Sequence, residues 1–157
     1  MTATKVIGES VKQTNRTFIK SYVEDYAKAI TENYRRYHLN TLNGNLHGNY
    51  PEYAKQQLAE IENGTANLMK FKVYTGKRVY KIVQQEFQTW EGRRNYGKYA
   101  DGSVHCFVDK ETGDVYKPAS WSAPAKHIRF TFQNVDHLKF LLNPDNVGWA
   151  GGYLYIR

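Results

Sequence analysis

Basic and aromatic residues recur at every second position in the middle of the chain, and their types and spacing could bind an anion. Lys70, Lys72 and Tyr74 follow this period of two, and Lys81 comes a few residues later. Such alternation is typical of a strand whose two faces differ. If the four residues Thr75–Arg78 form a hairpin loop, Lys72 lies opposite Lys81. The pattern therefore predicts one cationic sheet face that binds an anionic ligand.

The opposite face of this hairpin would carry apolar side chains and contribute to the core, namely Phe71, Val73, Tyr80 and Ile82. Like charges directly opposite each other on a strand pair are mildly unfavourable, and an anionic ligand would relieve the repulsion. The alternative is that the lysine side chains extend into water and bind nothing.

Two further segments combine aromatic rings with cations. In the glycine-containing stretch Trp90–Tyr99, rings could stack on bases while arginines neutralise phosphate. The stretch matches no defined RNA-binding signature, so an ordinary surface loop is the alternative. Near Pro124, Trp121 could bind a ligand together with a lysine or could fill the core. The candidate binding residues of these two segments are Arg93, Arg94, Tyr96, Lys98, Trp121 and Lys126.

The residues that most often carry catalysis do not form a catalytic pattern. His105 and Cys106 are adjacent on a predicted strand, so their side chains are expected on opposite faces and could not act as a base and a nucleophile together. Cys106 alternates with Val104 and Val108, which favours a buried and unreactive thiol. The histidines lack zinc spacing, and glycine-rich nucleotide motifs are absent. We therefore expect a noncatalytic protein without a metal site or cofactor.

The excess positive charge of the chain is concentrated in its middle. The 157 residues carry a net charge of +7, and residues 64–130 hold 12 of the 22 basic side chains but only 6 of the 15 acidic ones. A local excess of this kind attracts nucleic acid, nucleotides or an acidic protein surface, without choosing among them. The alternative is that the charge serves only solubility.

The elements that would position these residues begin with helices. Residues 1–14 show little pattern and are expected to be a loose leader. Apolar residues at helical spacing then predict an amphipathic helix over Arg16–Tyr37. The many asparagines and glycines of His38–Tyr50 predict a loop. Pro51 is suited to the first turn of a second helix, with Gly64 just past its end, so the first part of the chain is expected to be a helical hairpin.

The rest of the chain is expected to be mainly β. After the lysine-bearing hairpin, Thr89–Gly102 is expected to be a long loop, followed by a second hairpin from Ser103–Val108 and Val115–Lys117. A short strand near Ile128–Phe132, a helix over Asn134–Leu142 and a final strand over Gly152–Arg157 complete the prediction. The fold class is α+β: an N-terminal helical hairpin, a mainly antiparallel sheet, and a short C-terminal helix and strand, in a single domain over residues 1–157.

The cellular location of the protein is predicted from features that the sequence lacks. A single cysteine cannot form an internal disulfide, Met1–Lys20 has no apolar signal segment, and no stretch is long and apolar enough to cross a bilayer. These observations predict a cytoplasmic protein with no membrane partner.

Two segments resemble small bacteriophage proteins of unassigned function. The first runs from Val104 to Trp121 and continues through Ala123–Lys126, and the second is the ending Trp149–Tyr155. The resemblance implies a viral origin and a place in the cytoplasm of the infected host. It also implies action by binding, either to nucleic acid, to a host or defence protein, or to a nucleotide signal. No catalytic or binding residue can be transferred from it.

The leading hypothesis is a noncatalytic phage accessory protein that binds nucleic acid or a small nucleotide through residues 64–130, in host takeover or counter-defence. The alternative is a protein-protein inhibitor of a host or antiviral-defence enzyme. The sequence does not determine the oligomeric state, and the two hypotheses differ in how steeply binding depends on salt.

Overall fold

The fold is an antiparallel sheet with a long helix packed across one face. A computed structural model describes residues 3–156, with side chains from residue 16 to residue 156. The helices are α1 (Ala3–Asn45), α2 (Pro51–Asn63) and α3 (Val135–Leu141), and the strands are β1 (Lys70–Thr75), β2 (Val79–Phe87), β3 (Tyr99–Asp109), β4 (Asp114–Tyr116) and β5 (Phe130–Thr131). The strands pair in chain order, each antiparallel to the next. The predicted α+β class is confirmed.

The core lies between α1 and the sheet. Ile19, Val23, Tyr26 and Ile30 recur every three or four residues and are almost completely buried, so they form one stripe along the helix. This stripe packs against the face of the sheet that contains the buried Phe71, Tyr80, Ile82, Cys106, Val108 and Val115. The helix-covered side is called the inner face below, and the opposite side is called the outer face.

Helix α1 is longer at both ends than the sequence predicted. Residues 3–14, expected to be a loose leader, are helical, and they contain no proline that would interrupt the backbone hydrogen bonds. The expected loop over His38–Tyr50 is also wrong in its first part, since α1 continues to Asn45. Leu42 lies in this extension, and its side chain is only 2% exposed. Burial of that side chain outweighs the weak helix propensity of the surrounding asparagines.

Helix α2 confirms its predicted boundaries. Pro51 occupies its first turn, and Gly64 follows its last residue with a φ of 75°. Glycine adopts this left-handed conformation without steric cost, which lets the N–H of Thr65 bond back to the Glu60 carbonyl.

The first hairpin has the predicted faces but a different register. Lys72 pairs with Val83 and Tyr74 with Lys81, so the expected pairing of Lys72 with Lys81 is wrong by two residues. The cause is a tighter turn than expected: Gly76 N–H bonds to the Val79 carbonyl at 2.9 Å, which leaves two residues in the loop instead of four. A slip of two residues keeps every side chain on its face, whereas a slip of one would have exchanged the faces.

The second hairpin begins earlier than predicted. Strand β3 starts at Tyr99, so the last residues of the expected Thr89–Gly102 loop belong to the sheet, where Asp101 pairs with Gln85. Val108 pairs with Val115, as the predicted hairpin requires. Two register irregularities interrupt the pairing of β2 with β3, and one of them lies between Val104 and Cys106. An extra residue there changes which face a side chain reaches.

The C-terminal region confirms the predicted helix and corrects the final strand. Asn134 caps α3 through its side-chain oxygen, which accepts hydrogen bonds from the backbone N–H groups of Asp136 and His137. The segment expected to be a last strand instead forms a 3₁₀ turn over Gly152–Leu154, preceded by Gly151 with a φ of 82°. This turn buries Leu154 in the core, a position that an extended edge strand would not provide. Within residues 3–156, no helix is long and apolar enough to span a membrane.

Candidate functional site

The outer face of the sheet brings four of the predicted binding residues together. Lys70, Lys72 and Tyr74 of β1 lie on this face with Lys81 of β2, while Phe71 and its apolar neighbours lie on the inner face. The division into a cationic face and a core face is therefore confirmed. Their role in binding remains a prediction.

Each lysine of the outer face lies beside an aromatic ring. The Nζ atoms of Lys70, Lys72 and Lys81 lie 4.0, 4.8 and 4.3 Å from the ring centroids of Tyr99, Tyr74 and Trp121, respectively. Such contacts hold an ammonium group over a ring and leave its outer side open to water. The outer face therefore presents cations and ring faces together.

A polar triangle fixes the orientation of Tyr74. Its hydroxyl donates to both carboxylate oxygens of Asp101, at 2.8 and 3.0 Å, and the amide of the buried Gln85 donates to the same carboxylate at 2.8 Å. The hydrogen bond to Asp101 raises the pKa of Tyr74 above its ordinary value, so the phenol stays protonated at neutral pH. Tyr74 is thereby held in one position on the outer face.

Trp121 forms one wall of a cleft on the outer face. The cleft, called the outer cleft below, has a volume of about 350 Å³, and the fully buried Phe107 is among the residues that line it. Tyr74 and Lys81 also line it, together with Thr75, Gly76, Val79, Asp101 and Ser122. The volume lies near the lower end of the range for small-molecule sites. Aromatic side chains beside an ammonium group suit a flat ring that carries a nearby negative charge.

The loop that carries Trp121 is fixed by its own backbone. Pro118 pairs with Pro124 across the loop, and the N–H groups of Ala119 and Ser120 both bond to the Ala123 carbonyl. Trp121 is 47% exposed, which excludes the alternative that it fills the core. Lys126, the other predicted residue of this segment, is exposed beyond the loop and does not line the outer cleft.

The second predicted binding segment lies apart from the outer cleft. Arg93 and Arg94 line a different cleft of about 530 Å³, which shares only Asp101 with the outer cleft. Two backbone hydrogen bonds close the base of the loop, from the Gln88 N–H to the Lys98 carbonyl and from the Gly97 N–H to the Gln88 carbonyl, so the loop continues the β2–β3 hairpin as an ordered turn. Tyr96 is exposed on this turn. Arg93, Arg94, Tyr96 and Lys98 thus form a separate group at the far end of the hairpin.

His105 and Cys106 do not lie on opposite faces, which corrects the expectation from strand alternation. The irregularity in β3 turns both side chains toward the inner face. Tyr153 Oη lies 2.7 Å from His105 Nε2 and 2.5 Å from Tyr26 Oη, and the Tyr26 hydroxyl in turn bonds to the Cys106 thiol. A chain of four polar groups therefore crosses the core.

Burial sets the protonation states of His105 and Cys106. Desolvation lowers the pKa of His105 to about 4, and a hydrogen bond to the Trp149 backbone acts in the opposite direction. Desolvation also raises the pKa of Cys106 to about 12. At neutral pH the imidazole is uncharged and the thiol is protonated, so Cys106 carries no reactive thiolate. This agrees with the expected buried and unreactive cysteine.

Sequence reasoning missed Asp101 and Phe107, which line the outer cleft, and Gln85, which donates a hydrogen bond to Asp101. Tyr99 and Asp101 alternate in the same way as Lys70 and Lys72, and that alternation is the signal that identifies Asp101. Within the part of the chain whose side chains are described, no three His, Cys, Asp or Glu residues lie close enough to hold a metal ion together.

Comparison with known proteins identifies one family. No curated protein and no solved structure matches the chain. One family model, described as a family of unknown function, matches residues 6–156. Because this match covers nearly the whole chain, the protein belongs to the family of unknown function DUF7717.

Proposed function

We propose that this chain is a noncatalytic bacteriophage accessory protein that binds an anionic, nucleotide-type ligand on the outer face of its sheet. The ligand class includes nucleic acid and small nucleotides, and a role in host takeover or counter-defence follows from the phage resemblance of Val104–Lys126 and Trp149–Tyr155.

One observation carries the binding proposal. Ion pairs engage four of the basic side chains of the helices, namely Arg16, Arg35, Arg36 and Lys55. Among the described side chains, the basic residues of 64–130 form none. Lys70, Lys72 and Lys81 lie over rings instead. An unneutralised group of cations beside the exposed Trp121 ring and two half-buried tyrosine rings attracts phosphate and supports stacking by a base.

The outer cleft adds a place for the base. Trp121 and Tyr74 both line it, and the hydrogen bonds of Tyr74 hold that ring in position before any ligand arrives. A preorganised ring loses little conformational freedom on binding. In this proposal a base enters the outer cleft while Lys81 and its neighbours contact phosphate.

The test compares two double variants that remove the same charge. Lys72→Gln/Lys81→Gln should weaken binding of a fluorescein-labelled oligothymidylate, measured by anisotropy, and lower the slope of log K against log salt by about 1.4 if each lysine contacts one phosphate. The control Lys28→Gln/Lys139→Gln alters exposed lysines of α1 and α3. It should change neither the affinity for the oligonucleotide nor the salt slope. Equal effects of the two double variants would contradict the proposal.

A second candidate is the binding of a host or defence protein. Tyr37, Tyr50 and Tyr53 of the helical region are 51%, 78% and 59% exposed, and exposed tyrosines are common in protein interfaces. Binding of a protein partner with weak salt dependence, together with no retention of oligonucleotide at low salt, would favour this candidate.

A further inference from the structure

A second cleft lies at the end of the sheet, where the β1–β2 turn meets the β3–β4 turn. It has a volume of about 490 Å³ and is called the turn cleft. It is lined by four basic and two acidic side chains and a threonine: Arg16, Lys77, Arg78, Lys110, Asp109, Glu111 and Thr112. None of its basic residues was among those singled out from the sequence.

The acidic residues of the turn cleft are already engaged. The Asp109 carboxylate accepts hydrogen bonds from the backbone N–H groups of Glu111 and Thr112, at 2.8 and 3.0 Å. The Glu111 carboxylate forms an ion pair with Arg16. Neither carboxylate is therefore paired with the two basic residues of the β1–β2 turn.

The basic residues of the β1–β2 turn are available to a ligand. Lys77 and Arg78 are both exposed, and among the described side chains neither forms an ion pair. Lys110 Nζ, in contrast, donates to the Gly76 carbonyl at 3.1 Å. The free ammonium and guanidinium groups match the donors that bind phosphate oxygens in proteins.

The two clefts flank the same turn. Thr75, Gly76 and Val79 line the outer cleft, and the intervening Lys77 and Arg78 line the turn cleft. At a rise of roughly 3.3 Å per residue, Arg78 lies about 10 Å along the strand direction from Lys81, which is close to the rise of about three stacked nucleotides. A mononucleotide whose single phosphate contacts Lys81 offers no second phosphate to Arg78.

We propose that the turn cleft is a second phosphate subsite, and that the ligand is single-stranded nucleic acid several nucleotides long rather than a free mononucleotide. This inference rests on the proposed binding function of the outer face. A strand with one base in the outer cleft continues past Gly76 and places a later phosphate against Lys77 and Arg78. Because base stacking and phosphate contacts tolerate any sequence, binding should show little sequence preference.

The test uses two probes on three proteins. Affinities for a fluorescein-labelled oligothymidylate of about 12 nucleotides and for thymidine monophosphate are measured for the parent, for Lys77→Gln/Arg78→Gln and for a charge-matched control, Lys55→Gln/Lys139→Gln. Lys55 and Lys139 are exposed on α2 and α3 and line neither cleft. The turn variant should bind the oligonucleotide about tenfold more weakly at low salt and with a salt slope smaller by about 1.4. Its affinity for thymidine monophosphate should equal that of the parent.

Each other outcome overturns the inference in a recognisable way. If the parent binds the oligonucleotide and the turn variant matches it in affinity and salt slope, the second subsite is wrong while the proposed function stands. If the turn variant loses the mononucleotide equally, the turn cleft holds the phosphate of a single nucleotide and the extended ligand is wrong. If the parent binds neither probe at low salt, the proposed function fails, and the inference fails with it.

Discussion

Acid should destabilise this protein through one buried histidine, His105. The ring lies on the inner face, where it packs edge-on against Phe71 with 5.2 Å between ring centroids and bonds to the Tyr153 hydroxyl. Desolvation lowers its pKa from the ordinary 6.5 to about 4. The folded state therefore holds the neutral imidazole more strongly than the unfolded chain does. This contribution to stability is complete above the unfolded pKa and is lost as pH falls from there toward 4.

The size of the effect follows from the difference between the two pKa values. A shift of this size corresponds to about 3 kcal/mol of unfolding free energy between pH 7 and pH 4, of which about 2 kcal/mol is lost by pH 5. Urea denaturation of the parent at several pH values measures the loss. The matched variant is His105→Gln, which cannot titrate in this range. As the pH decreases from 7 to 4, the unfolding free energy of this variant should fall less steeply than that of the parent, whatever the absolute stability of the variant.

The same histidine can be observed directly if His105→Gln is too unstable to study. An NMR titration of the parent should place the pKa of the His105 imidazole near 4. Parallel stability profiles of parent and variant, or a His105 pKa near 6.5, would refute the assignment of a buried, neutral imidazole.

Two other substitutions test the core against the outer face. Phe71→Ala should cost about 3–5 kcal/mol of unfolding free energy in urea denaturation because Phe71 is only 6% exposed, whereas the neighbouring Lys72→Gln should change stability by less than about 0.5 kcal/mol. Equal costs would contradict the assigned faces. Cys106→Ser should lower the unfolding free energy by about 1–3 kcal/mol because it buries a hydroxyl group in the core. Oligonucleotide binding should stay intact. The native thiol should not react with a disulfide reagent until the protein unfolds, and a fast native reaction would contradict its burial.

Local signals in the sequence were sufficient for several elements. Pro51 and Gly64 mark the ends of α2, and Asn134 marks the start of α3, because each supplies a backbone conformation or a capping group that a helix end requires. The two faces of the first hairpin were also predictable. Side-chain alternation has a period of two, so the two-residue error in register left Lys72 on the outer face.

Features that depend on distant contacts were not predictable in this way. The extension of α1 depends on burial of Leu42, which outweighs the local preference of its polar neighbours for a loop. The joint orientation of His105 and Cys106 depends on an irregular pairing between β2 and β3, and neither strand alone encodes it. The outer cleft depends on a loop that places Trp121 beside Lys81, far away in the sequence.

The most direct test of ligand binding on the outer face follows the three tryptophan indole N–H signals in a ¹H–¹⁵N correlation spectrum. The chain contains Trp90, Trp121 and Trp149, and the last packs against Tyr34 with 5.4 Å between ring centroids. On addition of unlabelled oligothymidylate at low salt, the Trp121 signal and the backbone amides of Tyr74 and Lys81 should shift together and saturate. The Trp149 signal should stay in place. A spectrum in which the Trp121 signal does not move, or in which only residues outside the outer face respond, would contradict the proposed site.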